Sequence, residues 1–134
     1  MRSLVFDPVR KKKVVLTPEE GVRQQLIDLL HNRLGYPINL MVCEYSMSIG
    51  GLKYRGDLVL MNKELKPLLL AECKAPSIKV TKETFEQIMR YNMALNVKHL
   101  LLTNGVTTYF ASFDRCSNNY KYLTEIPSYN ELPE

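Results

Sequence analysis

Asp57, then fourteen intervening residues, then Glu72-Cys73-Lys74 is the spacing in this chain that most suggests chemistry. Glu72 and Lys74 are two residues apart, so on a β-strand they share a face. Two carboxylates brought side by side repel, and something must compensate them. A divalent cation does so, and carboxylate oxygens are the donors that Mg²⁺ or Mn²⁺ prefers. A cation held in this way polarises a phosphoryl oxygen and lowers the pKa of an attacking water, which is what hydrolysis of a phosphodiester requires. Lys74 would orient that water or stabilise the developing negative charge. The plainer reading is that Lys74 merely neutralises an acidic row at a sheet end.

The strands that must position these residues decide between the two. An alternating segment runs from about Leu40 to Ile49, with Cys43, Tyr45, Met47 and Ile49 against Glu44, Ser46 and Ser48. Gly50-Gly51 reads as a two-residue hairpin turn. A second strand runs from about Leu52 to Met61, and a third, Pro67 to Lys74, is apolar almost to its end, as expected of a strand covered on both faces. Counting outward from the glycine turn sets Glu44 opposite Asp57. A four-residue loop, Lys63 to Lys66, sets Asp57 opposite Glu72. Directly opposed residues hold their Cβ atoms about 4.5–5.5 Å apart. The expectation is a row of three carboxylates on one face with Lys74 beside it, and this matched register favours a metal site. Asp57 and Glu72 are the expected ligands, with the backbone carbonyl of Cys73 and, direct or through water, Glu44. A bulge in either hairpin would slip the register and flip the faces.

The remaining segments read as supports. The first nine residues look like a loose lead-in or a short edge strand, and Arg10 to Lys13 like a solvated basic arm or a DNA-contacting tail. Thr17-Pro18-Glu19-Glu20 is a helix start in which Thr17 caps and Glu20 completes a capping box. Glu20 is also an acid that could otherwise serve a metal, but the capping box already explains it. Val22, Leu26, Ile27, Leu29, Leu30 and Leu34 give the helix an apolar face, and Gly35-Tyr36-Pro37 ends it. A second helix runs from near Thr81 to about Asn96, with Phe85, Ile88, Met89 and Leu95 turned to the core. His99 to Thr103 is a short buried strand, Asn104-Gly105 a turn, and Val106 to Phe113 with Tyr120 to Leu123 a closing hairpin. The tail is irregular. The order α-β-β-β-α-β with appended strands implies a mixed sheet with helices on its faces.

With 134 residues the chain fits one domain, residues 1–134 with a core of about 11–113, and needs no disulfides to fold. Its three cysteines form no CxxC pair, so a zinc ribbon or a disulfide framework has no support. No apolar leader and no membrane span of ~20 residues occur, so the expected location is cytoplasmic. The net charge of +4 is compatible with a polyanionic partner. His31 and His99 read as packing or surface residues, and Cys73 as a core thiol on the face opposite Glu72. No Gly-x-Ser-x-Gly elbow is present. Tyr109, Phe110, Phe113, Tyr120 and Tyr122 suit strand packing or a dimer interface better than base stacking.

These residues resemble a known family. Gly56-Asp57 followed by Glu72-Cys73-Lys74 resembles the motif of the PD-(D/E)xK nuclease superfamily, with Gly56 where the superfamily name has Pro. The ordered set of five elements narrows this: Thr17-Pro18-Glu19-Glu20-Gly21-Val22-Arg23-Gln24, Arg55-Gly56-Asp57, Glu72-Cys73-Lys74-Ala75-Pro76, Gln87-x-x-x-Tyr91-Asn92 and Thr103-Asn104-Gly105. Together they resemble the nuclease domain at the N-terminus of type I restriction enzyme R subunits. The resemblance implies a restriction-endonuclease-like three-layer α/β/α fold and Mg²⁺-dependent (or Mn²⁺-dependent) DNA cleavage by Asp57, Glu72 and Lys74. It implies a supporting or DNA-backbone role for Gln87 and Tyr91, and the matching Arg55-Gly56-Asp57 adds Arg55. No phosphate-binding Gly-x-x-x-x-Gly-Lys loop occurs in this sequence, so no ATP-driven motor is expected here. The expected partners are DNA, a separate motor or methyltransferase subunit and a second copy of the chain, with no membrane. The alternative is a non-catalytic DNA-binding or assembly module of a restriction or repair system, and RNA is a third substrate class.

Overall fold

Thr17 starts the first helix. In the computed structural model, which describes residues 2–93 and 95–133 apart from the side chains of Met47, Ile49, Leu52 and Tyr54, this helix is α1 (Pro18–Asp28). Thr17 Oγ1 accepts the Glu20 N–H at 3.1 Å, and Pro18 sits in the first turn, where a missing N–H costs nothing. The capping box is not completed: the Glu20 carboxylate turns to Arg10, Arg23 and Gln24 instead. A π-type turn over Leu29–Arg33 extends α1, and Gly35 leaves it at φ +77°. The second helix, α2 (Lys82–Met93), starts under Thr81, whose hydroxyl accepts the Thr84 N–H at 3.2 Å. It stops before the expected end at Asn96, which is left-handed at φ 63° and caps the exit.

The lead-in is a paired hairpin. β1 (Leu4–Asp7) and β2 (Lys12–Val15) form their own two-stranded sheet. The main sheet has six strands in chain order: β3 (Met41–Ile49), β4 (Leu52–Met61), β5 (Pro67–Cys73), β6 (His99–Thr103), β7 (Thr108–Asp114) and β8 (Asn119–Leu123). All neighbours are antiparallel except β5 and β6, which are joined by the α2 crossover that parallel strands require. α1 packs on the face that carries Leu58, Leu60, Leu69, Ala71, Cys73 and Leu101. α2 packs on the face of Val59, Leu70, Leu100, Leu102 and Ala111. The result is a three-layer α/β/α fold around a mixed sheet.

Both expected registers are present, one for a different reason. β3 and β4 pair from Met41↔Leu60 to Ile49↔Leu52 around Gly50 and Gly51, at φ 56° and 81°. The alternation expected at Met47 and Ile49 lies outside the described side chains. Between β4 and β5, Leu58 pairs with Ala71 as expected, but the turn is offset: Met61, not Asn62, pairs with Pro67. Asn62 belongs to the loop, where its Oδ1 accepts the N–H groups of Glu64 and Lys66. A bulge between Leu60 and Met61 absorbs the offset.

The tail is not irregular throughout. A 3₁₀ turn spans Tyr129–Glu131, Leu132 enters the core on the α1 side, and the Pro133 carbonyl accepts from His99 Nε2 at 2.7 Å. A carbonyl only accepts, so Nε2 carries the proton and Nδ1 accepts from the Ser112 hydroxyl at 2.7 Å. Burial pushes the His99 pKa down to about 4. An unfolded histidine titrates near 6.5, so between those values the unfolded chain binds more protons. The His99 contribution is therefore complete above pH ~6.5 and is lost as pH falls toward 4, up to about 3 kcal/mol. The melting temperature of the wild type should fall more steeply between pH 7 and 4.5 than that of His99→Gln. Parallel curves would refute this.

Candidate active site

The sheet opens at Asp57. The registers on either side would set Glu44, Asp57 and Glu72 in one row, yet neither Glu44 with Asp57 nor Asp57 with Glu72 forms a ladder pair, and Glu72 pairs only on its other side, with Leu102. Glu44 is left-handed, at φ 54°, a strained conformation for a residue with a Cβ. The faces change here too. Cys43 and Leu58 pack on the α1 side, whereas Tyr45 packs on the α2 side. A Cβ on Gly56 would lie 2.8 Å from Val59 Cγ2 and 3.0 Å from Leu70 Cγ, both in the α2-side core. So β3 and β4 swap faces together while keeping register, and regular alternation cannot be carried through Asp57. The expected flat acidic row does not form. Gly56→Ala should destabilise by about 1–3 kcal/mol through overpacking, read by urea denaturation. A variant as stable as wild type would contradict the close approach.

The disruption redirects Asp57. Its Oδ2 accepts the Cys73 N–H at 2.8 Å, a donor that a regular ladder would send to the Gly56 carbonyl. Its own carbonyl accepts from Arg23 Nη1 at 3.2 Å. The Lys74 N–H faces the other way, toward the Thr103 carbonyl at 2.9 Å. Within a strand the N–H and C=O of one residue point to the same side, so the Cys73 carbonyl faces β4 and Asp57.

Glu72 stands on the α2 side, in an open cleft of about 210 Å³ lined by Lys53, Arg55, Leu70, Ile88, Tyr91 and Asn92. Burial pushes its carboxyl above the usual range, and the Asp57 charge adds to that. Lys74 opposes the shift and Glu19 reinforces it. Asp57, Glu72 and Lys74, singled out in the sequence, therefore share one electrostatic neighbourhood. Tyr91 lines the cleft, and Gln87 is exposed one turn earlier on α2. Asn104 steadies the loop beyond Lys74: its Nδ2 donates to the Ile78 carbonyl, and its Oδ1 accepts from Val106 and Thr107.

Two other acids are engaged elsewhere. Glu44 Oε1 lies 3.2 Å from Arg55 and 3.7 Å from Arg23. Glu20 is buried and shared by Arg10 at 2.6 Å and Arg23 at 3.2 Å. Among the described residues no three His, Cys, Asp or Glu side chains converge as a metal cage. Cys73 is buried and its thiol is pushed up to about 12, chiefly by burial and then by Asp57, which removes it as a nucleophile. Phe113 and Tyr120 pack edge to face, and Tyr109 and Tyr122 gather around Phe85, as strand packing requires.

Sequence reasoning missed Glu19 and Asp7. Glu19 is exposed in the first turn of α1, and its charge helps to raise the Glu72 carboxyl. The sequence carried no local signal for this, since adjacent helical positions can both be buried, as Val22 with Arg23 and Leu26 with Ile27 are in α1. Asp7 is fully buried. Burial alone would raise its carboxyl, but bonds from Arg10, the Val9 N–H and Gln24 outweigh it and hold it below the usual carboxylate range.

The three-layer fold, with Asp57 set against Glu72-Cys73-Lys74 where the sheet opens, is that of a restriction-endonuclease-like domain. Residues 18–127 match the family described as type I restriction enzyme R protein N terminus (HSDR_N), and the chain belongs to that family. Among solved structures it is similar to a fragment assigned as an HsdR subunit of a type I restriction enzyme from Vibrio vulnificus YJ016, at a TM-score of 0.61 and 21% identity. That match covers 87% of this chain and 24% of the other, so the chain spans about a quarter of the length of the solved relative. The comparison with curated proteins finds no match.

Proposed function

We propose that this domain is a divalent-metal-dependent DNA endonuclease, the cutting module of a restriction system in the cytoplasm. The observation that carries the reading is the Asp57 carboxylate seated on the Cys73 amide, with the part-buried Glu72 and Lys74 beside it. The donor set fits Mg²⁺ or Mn²⁺. Two carboxylates and a carbonyl are hard oxygen ligands, and a carboxyl driven up by burial and by a second carboxylate is one that a cation would relieve. Asp57, Glu72 and the Cys73 carbonyl would hold the ion, with Glu44 and Glu20 occupied by arginines. When bound, such an ion polarises the phosphoryl oxygen and makes water a better nucleophile.

The remaining work falls to the chain itself. Lys74 supplies positive charge where negative charge develops during attack on phosphorus. Lys53 and Arg55 on one cleft wall, with Tyr91 and Gln87 on α2, suit a DNA backbone. DNA is the substrate proposed, with a motor or methyltransferase subunit and a second copy of the chain as partners. The test is incubation of supercoiled plasmid and of linear single-stranded DNA with Mg²⁺, Mn²⁺ or EDTA. Metal-dependent nicking supports the reading. DNA binding without cleavage under every metal would replace it with the binding-module alternative.

A further inference from the structure

We infer that Arg23 is the positioning residue for Asp57, supplying the hydrogen bond that the open sheet withholds from the Asp57 carbonyl. The inference rests on the proposed nuclease reading for its functional meaning. Its structural part stands on the ladder geometry. Cys73 presents its N–H to β4, so in a regular ladder the alternate residue Asp57 would present its carbonyl to β3 and accept from Glu44. Glu44 is left-handed and is not paired with Asp57. Arg23 Nη1 reaches the carbonyl instead, at 3.2 Å, from a helix in another layer.

Arg23 is itself held for this task. It is buried, at 6% exposure. Its Nε lies 3.2 Å from Glu20 Oε2, and its Nη2 lies 3.7 Å from Glu44 Oε1. The Nε contact is an ion pair without hydrogen-bond geometry, so the guanidinium is not set to optimise Glu20. Among these contacts, the well-formed hydrogen bond is the one to Asp57. Glu20 is fixed in turn by Gln24 and by Arg10, and Arg10 by the fully buried Asp7. A chain of alternating charge thus runs from the N-terminal hairpin to the Asp57 backbone. Holding that carbonyl holds the peptide plane, and with it the direction in which the carboxylate leaves β4 toward the Cys73 amide. Lysine would not substitute, because a single ammonium cannot span two acids and a carbonyl as a planar fork does.

Hydrogen exchange at the Cys73 amide reports the Asp57 bond without metal or DNA. It is measured by NMR in the full 134-residue chain for wild type, Arg23→Gln and Arg23→Lys, with the Leu70 and Leu101 amides as internal references. Both variants should speed Cys73 exchange by roughly tenfold beyond whatever rise the loss of the buried Glu20 pairing gives the reference amides. Arg23→Lys keeps the buried charge and carries the test if Arg23→Gln does not fold. Unchanged Cys73 exchange, or an equal rise at all three amides, would overturn the inference. A parallel Mn²⁺ titration, followed by the free-ion spin resonance signal, should show affinity weakened by about tenfold or more in Arg23→Lys. If the wild type binds no Mn²⁺, the metal reading fails, while the exchange result still decides the role of Arg23.

Discussion

Asp57→Asn and Glu72→Gln should each abolish metal-dependent DNA cleavage, by about 10³-fold or more, in a domain that stays folded. The two changes are nearly isosteric, so what they remove is charge. The side-chain amide introduced by Asp57→Asn keeps an oxygen able to accept the Cys73 N–H, and the local backbone should persist. Glu72→Gln is the more informative of the pair. Glu72 is destabilised in the metal-free protein by burial and by Asp57. Neutralising it should leave metal-free stability unchanged or raise it, while activity disappears. Opposite signs for stability and function are the mark of a site strained for its task. Lys74→Met should lose roughly 10²-fold or more, since it removes charge stabilisation of the reacting group. Plasmid nicking rates and thermal melting in EDTA would measure both sides. A Glu72→Gln protein that cuts like the wild type would end the assignment.

Glu20→Ala should be the most damaging single change to stability outside the apolar core. The side chain is buried between two guanidiniums, Arg10 at 2.6 Å and Arg23 at 3.2 Å. Breaking a buried ion pair by deleting one member typically costs about 3–5 kcal/mol, because the surviving charge stays buried and uncompensated. Arg23, at 6% exposure, would be that charge. Glu44→Ala touches the same arginine from the solvent side, where the Glu44 side chain is 46% exposed, and should cost about 1 kcal/mol or less. Urea denaturation of both variants without metal tests the contrast. If Glu20→Ala were stable in EDTA but bound Mn²⁺ more weakly than the wild type, Glu20 would be a ligand and not a structural anchor.

Local rules were enough for much of this molecule. The Thr17 cap, the Gly50-Gly51 turn, the apolar run of β5 and the helical apolar stripes depend on near neighbours, and these elements stand where those neighbours imply, except that α2 stops at Met93, short of Asn96. The pairing register of β3, β4 and β5 was equally legible, although a bulge had to cancel an offset turn before Leu58 met Ala71. Membership in the R-subunit family also follows from the ordered motifs, which the match over residues 18–127 bears out. The tertiary structure decided what those neighbours could not. Glu20 turned from its own helix cap to two arginines, because burial between guanidiniums outweighs a solvated capping bond. The lead-in is a hairpin whose turn is docked on the domain by Arg10 on Glu20 and by Cys43 on Asp7. Above all, the acidic row opened at Asp57. Strand alternation is a local rule, and it gave way where Arg23, arriving from another layer, offered the Asp57 carbonyl a hydrogen bond that Glu44 on the neighbouring strand does not make.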